Sequence, residues 1–179
     1  MRLSYPLAVG ALAVAAGCGG GDEETLTVYL KQRLGPEGPH SQIAPVLMPV
    51  ERELRDGVPA PHQAVLELRV GPSPGERAHG FLDTLEPETR LRSVRIDGDT
   101  ATVKLLGREP DFYGAAAIVY SLTAVPGVER VALRLEDEPC CKYRHDGTVV
   151  AHVSRRSYTG WQGEPCDERD GPDAVPCRD

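Results

Sequence analysis

Residues 91–105, with the sequence LRSVRIDGDTATVKL, carry the clearest fold signal in this chain of 179 residues. On both sides of Asp97-Gly98-Asp99, apolar residues alternate with polar ones, which is the period of half-buried strands. An Asp-Gly pair provides the backbone conformation that a tight hairpin turn needs. The turn resembles part of a calcium loop, but no series of ligands ending in Glu follows it. The stretch therefore predicts a β-hairpin.

Three further segments alternate in the same way. Residues 26–31 and 46–54 precede the hairpin, and residues 131–136 follow it. Pro49 lacks a backbone donor, so we expect the segment that contains it to lie at the edge of a sheet. The sequence thus predicts five strands.

Two segments have helical spacing. Residues 62–70 end at Gly71-Pro72, which is typical of a helix stop. Asp111 is expected to cap a second helix, whose apolar stripe consists of Ala115, Ile118, Val119, Leu122 and Val125. The order β-β-α-β-β-α-β implies an α+β fold, a mainly antiparallel sheet with two helices on one face.

The N-terminus has the features of an export signal that ends at a cysteine. Arg2 precedes a short apolar run, and small residues lead to Cys18. This order resembles a bacterial lipobox, in which the thiol accepts a lipid and cleavage occurs just before the cysteine. We expect residues 1–17 to be a lipoprotein signal peptide, Cys18 to be lipidated, and residues 18–24 to form a flexible tether. The alternative is an ordinary signal cleaved after Ala15.

Four more cysteines lie near the other end of the chain: Cys140, Cys141, Cys166 and Cys177. An even number of cysteines outside the cytoplasm predicts two disulfides. A bond between adjacent cysteines closes a strained ring, so we expect each of the adjacent pair to bond to one of the two distal cysteines. A zinc site that includes His145 and His152 is the alternative, although the usual ligand spacing does not occur.

Residues 139–179 form a Cys-rich extension that is too small to build a core of its own. We expect disulfides to staple it to the domain, with residues 148–153 as an added strand pair. Trp161 is the only tryptophan in the chain. Its two interpretations are a buried anchor for the extension and an exposed binding contact for a glycan or protein.

Charge and length limit the classes of function. After removal of the signal, the remaining length suits one domain with an appendage. The formal net charge is −7 and the pI is about 5.3, which argues against binding of nucleic acid or of an anionic membrane surface through general electrostatics. Arginines are scattered along the predicted strands, and the sequence alone indicates no basic patch.

Motifs within residues 71–80, 89–103 and 118–128 occur in the order and at the spacing of the GerMN domain, which the chain resembles over residues 25–138. That domain takes its name from a protein of spore germination and sporulation, and it is common in lipid-anchored bacterial envelope proteins. The resemblance implies a role in spore or cell-envelope assembly.

Known catalytic motifs are missing from the sequence, which contains no Gly-x-Ser-x-Gly elbow, no His-Glu-x-x-His helix and no P-loop. We therefore expect no catalytic residues, no cofactor and no metal. The predicted function is that of a binding or assembly module on the outer side of the cell membrane, anchored through Cys18. Expected partners are an envelope protein, peptidoglycan or a second copy of the chain, bound through the edge strand at 46–54 or through Trp161. A cell-envelope hydrolase or a small-ligand sensor is the alternative.

Overall fold

The computed structural model describes residues 24–33, 45–141 and 152–158. Strands alternate with helices in the order β1 (Thr25–Gln32), β2 (Val46–Glu53), α1 (Ala60–Val70), α2 (Pro74–Ala78), β3 (Phe81–Leu82), β4 (Thr89–Asp97), β5 (Thr100–Gly107), α3 (Phe112–Leu122), β6 (Arg130–Leu135), β7 (Glu138–Pro139) and a final 3-10 turn (Arg155–Tyr158).

The strands divide into two sheets with the orders β2-β1-β3 and β4-β5-β6-β7. In the first sheet, β1 is antiparallel to both neighbours, and Pro49 lies opposite Tyr29 on the edge strand β2. In the second, β4 and β5 form the predicted hairpin, with Asp97 opposite Thr100. β5 and β6 are parallel, because the chain crosses over through α3 between them. The α+β class and the mainly antiparallel pairing are confirmed.

Three short elements were missed by the sequence analysis: α2, β3 and β7. Each spans five residues or fewer, which is too short for a periodic pattern to be recognised. The stop predicted at Gly71 is confirmed, since this residue ends α1 with a φ of 77° that favours glycine. A second helix, α2, begins directly after this stop, because Ser73 and Glu76 form a capping box at its start.

Helix α3 is the centre of the core. Its cap is as predicted, since the carboxylate of Asp111 accepts a hydrogen bond of 2.6 Å from the N–H of Gly114. All residues from Gly114 to Leu122 are buried, so the helix is covered on every side. It contacts α1, β1 of the first sheet and β6 of the second, while α1 contacts β1 and β4. The two helices therefore connect the two sheets through a common apolar core.

A buried amide joins α1 to the end of β2. The side chain of Gln63 is fully buried, donates to the carbonyl of Glu53 at 2.6 Å and accepts from the N–H of Arg55 at 2.8 Å. Because a buried amide without partners is costly, these two bonds specify how the helix follows the strand.

An arginine–glutamate network continues from this point. Arg52 forms a bidentate pair with Glu76, at 2.7 and 2.8 Å, and its Nε lies 3.6 Å from the carboxylate of Glu67. Glu67 is almost fully buried and also accepts from Arg55 at 2.5 Å. The hydrogen bonds from Arg52 are the main reason that the pKa of Glu76 falls from 4.5 to about 2. The network holds β2, α1 and α2 together.

Residues 152–158 pack on the domain through aromatic and cationic contacts. The hydroxyl of Tyr120 donates to the carbonyl of Tyr158 at 2.9 Å. The guanidinium of Arg155 lies 5.3 Å from the ring centroid of Tyr29 and donates to the hydroxyl of Thr123 at 2.8 Å. Val153 forms an antiparallel bridge with Val131 at the edge of β6. The rest of the predicted added strand pair, residues 148–151, lies outside the described residues.

The cysteines differ from the expected pairing. The structure places the sulfur atoms of the adjacent Cys140 and Cys141, which are both buried, at disulfide distance from each other. Cys141 has a φ of 75°, and the turn of the backbone at this residue brings the two side chains together. Its N–H is held by the carboxylate of Glu109 at 2.9 Å. The expected partners Cys166 and Cys177 lie outside the described residues, as does His145 of the alternative zinc site.

The position of Ile118 in α3 leads to a first prediction. Ile118→Asp should lower the free energy of unfolding by about 3–5 kcal/mol, because it places a carboxylate in the fully buried apolar core. The same change at Ile96, which is 42% exposed, should have a much smaller effect. Thermal and urea denaturation measure both variants. Equal losses of stability would show that the core is assigned to the wrong face.

The arginine network leads to a second prediction. Glu76→Gln should destabilise the protein by about 1–2 kcal/mol at neutral pH, because it removes a charge-assisted bidentate pair. Since the pKa of Glu76 is lowered to about 2, its contribution is fully present above pH 4.5 and is lost as the pH falls towards 2.

Denaturation curves at a series of pH values test this expectation. The stability difference between the wild type and Glu76→Gln should shrink below pH 4.5. Glu88→Gln is the matched control, since Glu88 is exposed and contributes no ion pair among the described residues. A difference for Glu76→Gln that does not depend on pH would show that the ion pair does not stabilise the fold.

Candidate functional site

The second sheet has one face against the helices and one face towards solvent. In β5, Ala101, Val103 and Leu105 are fully buried. The side chains between them, among them Thr102 and Lys104, project from the other face because successive residues of a strand alternate. Residues of β4 and β6 that lie opposite Thr102 and Lys104 project from the same solvent face.

The solvent face is rich in cations. Arg95 of β4 lies opposite Thr102, and Arg134 of β6 lies opposite Lys104, so these side chains share one face. Arg92 occupies a bulge in β4 and reaches the same carboxylate as Lys104. We call this surface the basic face and define it by its six cationic residues: Arg90, Arg92, Arg95, Lys104, Arg130 and Arg134.

Small side chains form the centre of the basic face. Thr102 lies between Arg95 on β4 and Ala132 on β6, and Ala132 is flanked along its strand by Arg130 and Arg134. Positions on one face are about 7 Å apart along a strand and about 5 Å apart across strands. A shallow floor of a hydroxyl and a methyl group is therefore surrounded by long cationic side chains, an arrangement that suits oxyanions.

Carboxylates neutralise part of this surface. Asp137, in the turn after β6, lies 2.6 Å from Lys104 and 3.8 Å from Arg92, and its carbonyl accepts from Arg134. The hydrogen bond from Lys104 is the main cause of the lowered pKa of Asp137. At the opposite end, Arg130 lies 2.6 Å from Asp99 and is the main cause of the lowered pKa of that carboxyl.

Two exposed cations of the basic face have no neutralising partner among the described residues. Arg90 and Arg95 are exposed, and neither forms an ion pair with another residue of the described chain. Against the six cations of the basic face stand Asp97, Asp99, Asp137 and Glu129, whose charge acts on Arg130. This positive excess belongs to a chain whose formal net charge is −7.

The expectation of scattered arginines was therefore wrong for the folded protein. Sequence analysis counted the cations along the chain, where Arg95 and Arg134 are far apart. In the folded sheet, β5 pairs with both β4 and β6, so only one strand separates Arg95 from Arg134. The available signal was that polar positions in both the hairpin and the last strand are repeatedly Arg or Lys.

The arginine–glutamate network is the other charged cluster in the described residues. Its members form ion pairs with one another. Arg52 pairs with Glu67 and Glu76, and Arg55 pairs with Glu67. It lies between β2, α1 and α2, and the hydroxyl of Ser73 beside it accepts from the N–H of Glu76 as part of the helix cap. This cluster holds elements together, whereas the basic face is open to a partner.

The predicted site residues are distributed unevenly over the described chain. Cys18, Cys166, Cys177 and Trp161 lie outside the described residues. The segment at 46–54 is an edge strand, as expected, and Arg52 within it is engaged by Glu76. No group of His, Cys, Asp or Glu in the described ranges is placed to hold a metal ion. Of the helices described, none is long and apolar enough to cross a membrane.

Known proteins show a clear family relationship. The family described as Germane, sporulation and spore germination, matches residues 27–141. Among solved structures, the tandem GerMN domains of the sporulation protein GerM from Bacillus subtilis are similar, with a TM-score of 0.56 and 22% identity. That match covers 74% of this chain and 46% of that chain, so this chain spans about half the length of the tandem protein. No curated protein matches this chain.

The first GerMN domain of the same Bacillus subtilis protein gives a TM-score of 0.53 at 20% identity, covering 74% of this chain and 98% of that one. This likeness concerns the fold, and it confirms the resemblance to GerMN domains that the motifs indicated. The family match covers most of the described chain, from β1 to the adjacent cysteines. The chain therefore belongs to the Germane family of sporulation and spore germination, with the fold of a GerMN domain.

Proposed function

We propose that the protein is a lipid-anchored, extracytoplasmic binding module that takes part in cell-envelope assembly linked to sporulation or germination. The observation that carries this proposal is the basic face, an open and strongly charged surface on an otherwise acidic protein. Charge of one sign that is concentrated on one side orients a module towards a complementary partner and speeds their association.

The N-terminal sequence supports the anchoring part of the proposal. Cys18 follows the small residues of a lipobox-like signal, and residues 19–24 are glycine-rich and acidic. A module held at the membrane surface meets partners in the envelope without needing high affinity, because tethering raises the effective concentration.

The chemistry of the described residues supports a binding role in place of catalysis. The charged groups of the arginine–glutamate network neutralise one another and link elements of the fold. The cations of the basic face are donors around the hydroxyls of Thr102 and Ser93, and no described His or carboxylate hydrogen bonds to either hydroxyl as a base. Such a surface holds an anionic partner but has no evident means to transform it.

The anchor is tested by substitution of its acceptor. Cys18→Ser should abolish acylation and move the protein from the membrane fraction to uncleaved precursor or released product, because the lipid requires a thiol. Cys177→Ser removes a thiol elsewhere and should still be acylated. Mass spectrometry and cell fractionation measure both variants, and unchanged mass and membrane retention of Cys18→Ser would contradict the anchor.

The binding role is tested by crosslinking in intact cells. A photoreactive phenylalanine analogue placed at Thr102, in the centre of the basic face, should give discrete adducts with an envelope component. The same analogue at Val70, which is 64% exposed on α1, is the matched control and should give none of these adducts. Gel shifts followed by mass spectrometry identify what is captured.

Two results would contradict this role. One is an identical set of adducts from Thr102 and Val70, which would indicate random encounters. The other is turnover of peptidoglycan, peptides or esters by the purified protein that is lost when one polar residue is substituted, since this would assign an enzymatic site.

A further inference from the structure

We propose that the basic face docks directly onto the surface of an anionic phospholipid bilayer, with the second sheet lying flat against the lipid phosphates. This inference rests on the proposed function only for the nearness of the membrane. It adds a second membrane contact, made by the folded domain, to the lipid anchor.

The shape of the basic face suits a planar partner. Its cations are spread over the three neighbouring strands β4, β5 and β6, and no described helix or strand covers them. The side chains of Arg92 and Arg130 are each 54% exposed, and that of Lys104 is 38% exposed. A single polyanionic strand is bound best along a groove, whereas this grid of charges presents a broad, shallow surface.

The chemistry of the basic face suits phosphate. Five of its six cations are arginines, whose planar guanidinium donates two parallel hydrogen bonds to a phosphate group. Arg90 and Arg95 form no ion pair within the described residues, so their donors are available. Thr102 adds a hydroxyl between Arg95 and β6. Headgroup phosphates of a bilayer provide many acceptors of this kind in one plane.

The length of the chain before the domain keeps the membrane within reach. Residues 19–24 separate Cys18 from the start of β1 at Thr25. A fully extended chain of this length spans about 20–25 Å, so an anchored domain stays within about its own diameter of the headgroups. The anchor thus presents the basic face to the bilayer at high effective concentration.

The strength of the attraction is suitable for a second contact. Each basic residue near an anionic surface improves affinity about fivefold, and an acyl anchor combined with a basic patch gives stable attachment where either alone is marginal. The carboxylates of Asp99 and Asp137 reduce the charge of the basic face, so binding depends on the unpaired cations.

Vesicle sedimentation tests the proposal with the full chain. Vesicles of phosphatidylcholine with about 30% phosphatidylglycerol approximate an anionic surface potential, and vesicles of phosphatidylcholine alone are the neutral reference. We expect clear preference for the anionic vesicles, reduced by high salt because the charges are exposed. The apolar N-terminal segment is the same in every sample, so only the difference between vesicle types is interpreted.

A matched pair of double variants locates the contact. Arg90→Gln with Arg95→Gln removes two cations of the basic face that form neither an ion pair nor a side-chain hydrogen bond within the described chain, and should weaken anionic binding about tenfold or more. Arg33→Gln with Arg69→Gln removes two exposed arginines elsewhere, gives the same net charge, and should bind like the wild type. Circular dichroism checks that both variants are folded.

Equal binding of the wild type to anionic and neutral vesicles would overturn the inference, as would equal losses in the two double variants. Binding to a soluble glycerol-phosphate polymer without binding to vesicles would also overturn it, and would assign the basic face to that polymer. From the analogue at Thr102, lipid adducts are expected, whereas protein or wall adducts would overturn this inference and still fit the proposed function. Lipidation of Cys18 is independent of all these outcomes. Failure of this inference is therefore distinguishable from failure of the proposed function.

Discussion

The burial of α3 on all sides is the constraint on which the rest of the structure depends. Because the helix has no polar stripe from Gly114 to Leu122, it is stable only where it contacts apolar surface in every direction. The two sheets provide that surface through β1 and β6. The crossover through α3 then places β6 parallel to β5, and this pairing in turn brings the arginines of β6 beside those of the hairpin. The same crossover through α3 is therefore needed for both the core and the basic face.

Sequence reasoning succeeded where a single segment contains its own evidence. The hairpin at residues 91–105, the cap at Asp111 and the stop at Gly71 each follow from local backbone preferences. It failed where the answer depends on which segments become neighbours. The basic face requires the adjacency of β5 and β6, and the network of Arg52 with Glu76 joins a strand to a helix too short to be recognised. The adjacent cysteines were judged by ring strain alone, without the left-handed backbone at Cys141.

Arginine has two distinct roles in this protein, and the geometry separates them. Arg52 is held by two carboxylates and lowers the pKa of Glu76, so its charge is used within the fold. Arg90 and Arg95 are exposed and unpaired within the described chain, so their charge is directed outward. The net charge of −7 is a sum over the paired arginines, the exposed arginines and all other charged residues of the chain. For this reason, overall charge does not describe the local charge of the second sheet.

The edges of the sheets support our proposal that a face, and not an edge, contacts a partner. On β6, the short strand β7 pairs near Leu135 and the bridge from Val153 pairs at Val131, so this edge is largely covered. The opposite edge, β4, bears Arg90, Arg92 and Arg95, and a row of like charges discourages pairing with another strand. Pro49 interrupts the donors of β2 at the edge of the first sheet. Strand addition is therefore disfavoured at the long edges, and the exposed cations of the second sheet remain as the surface best suited to a partner.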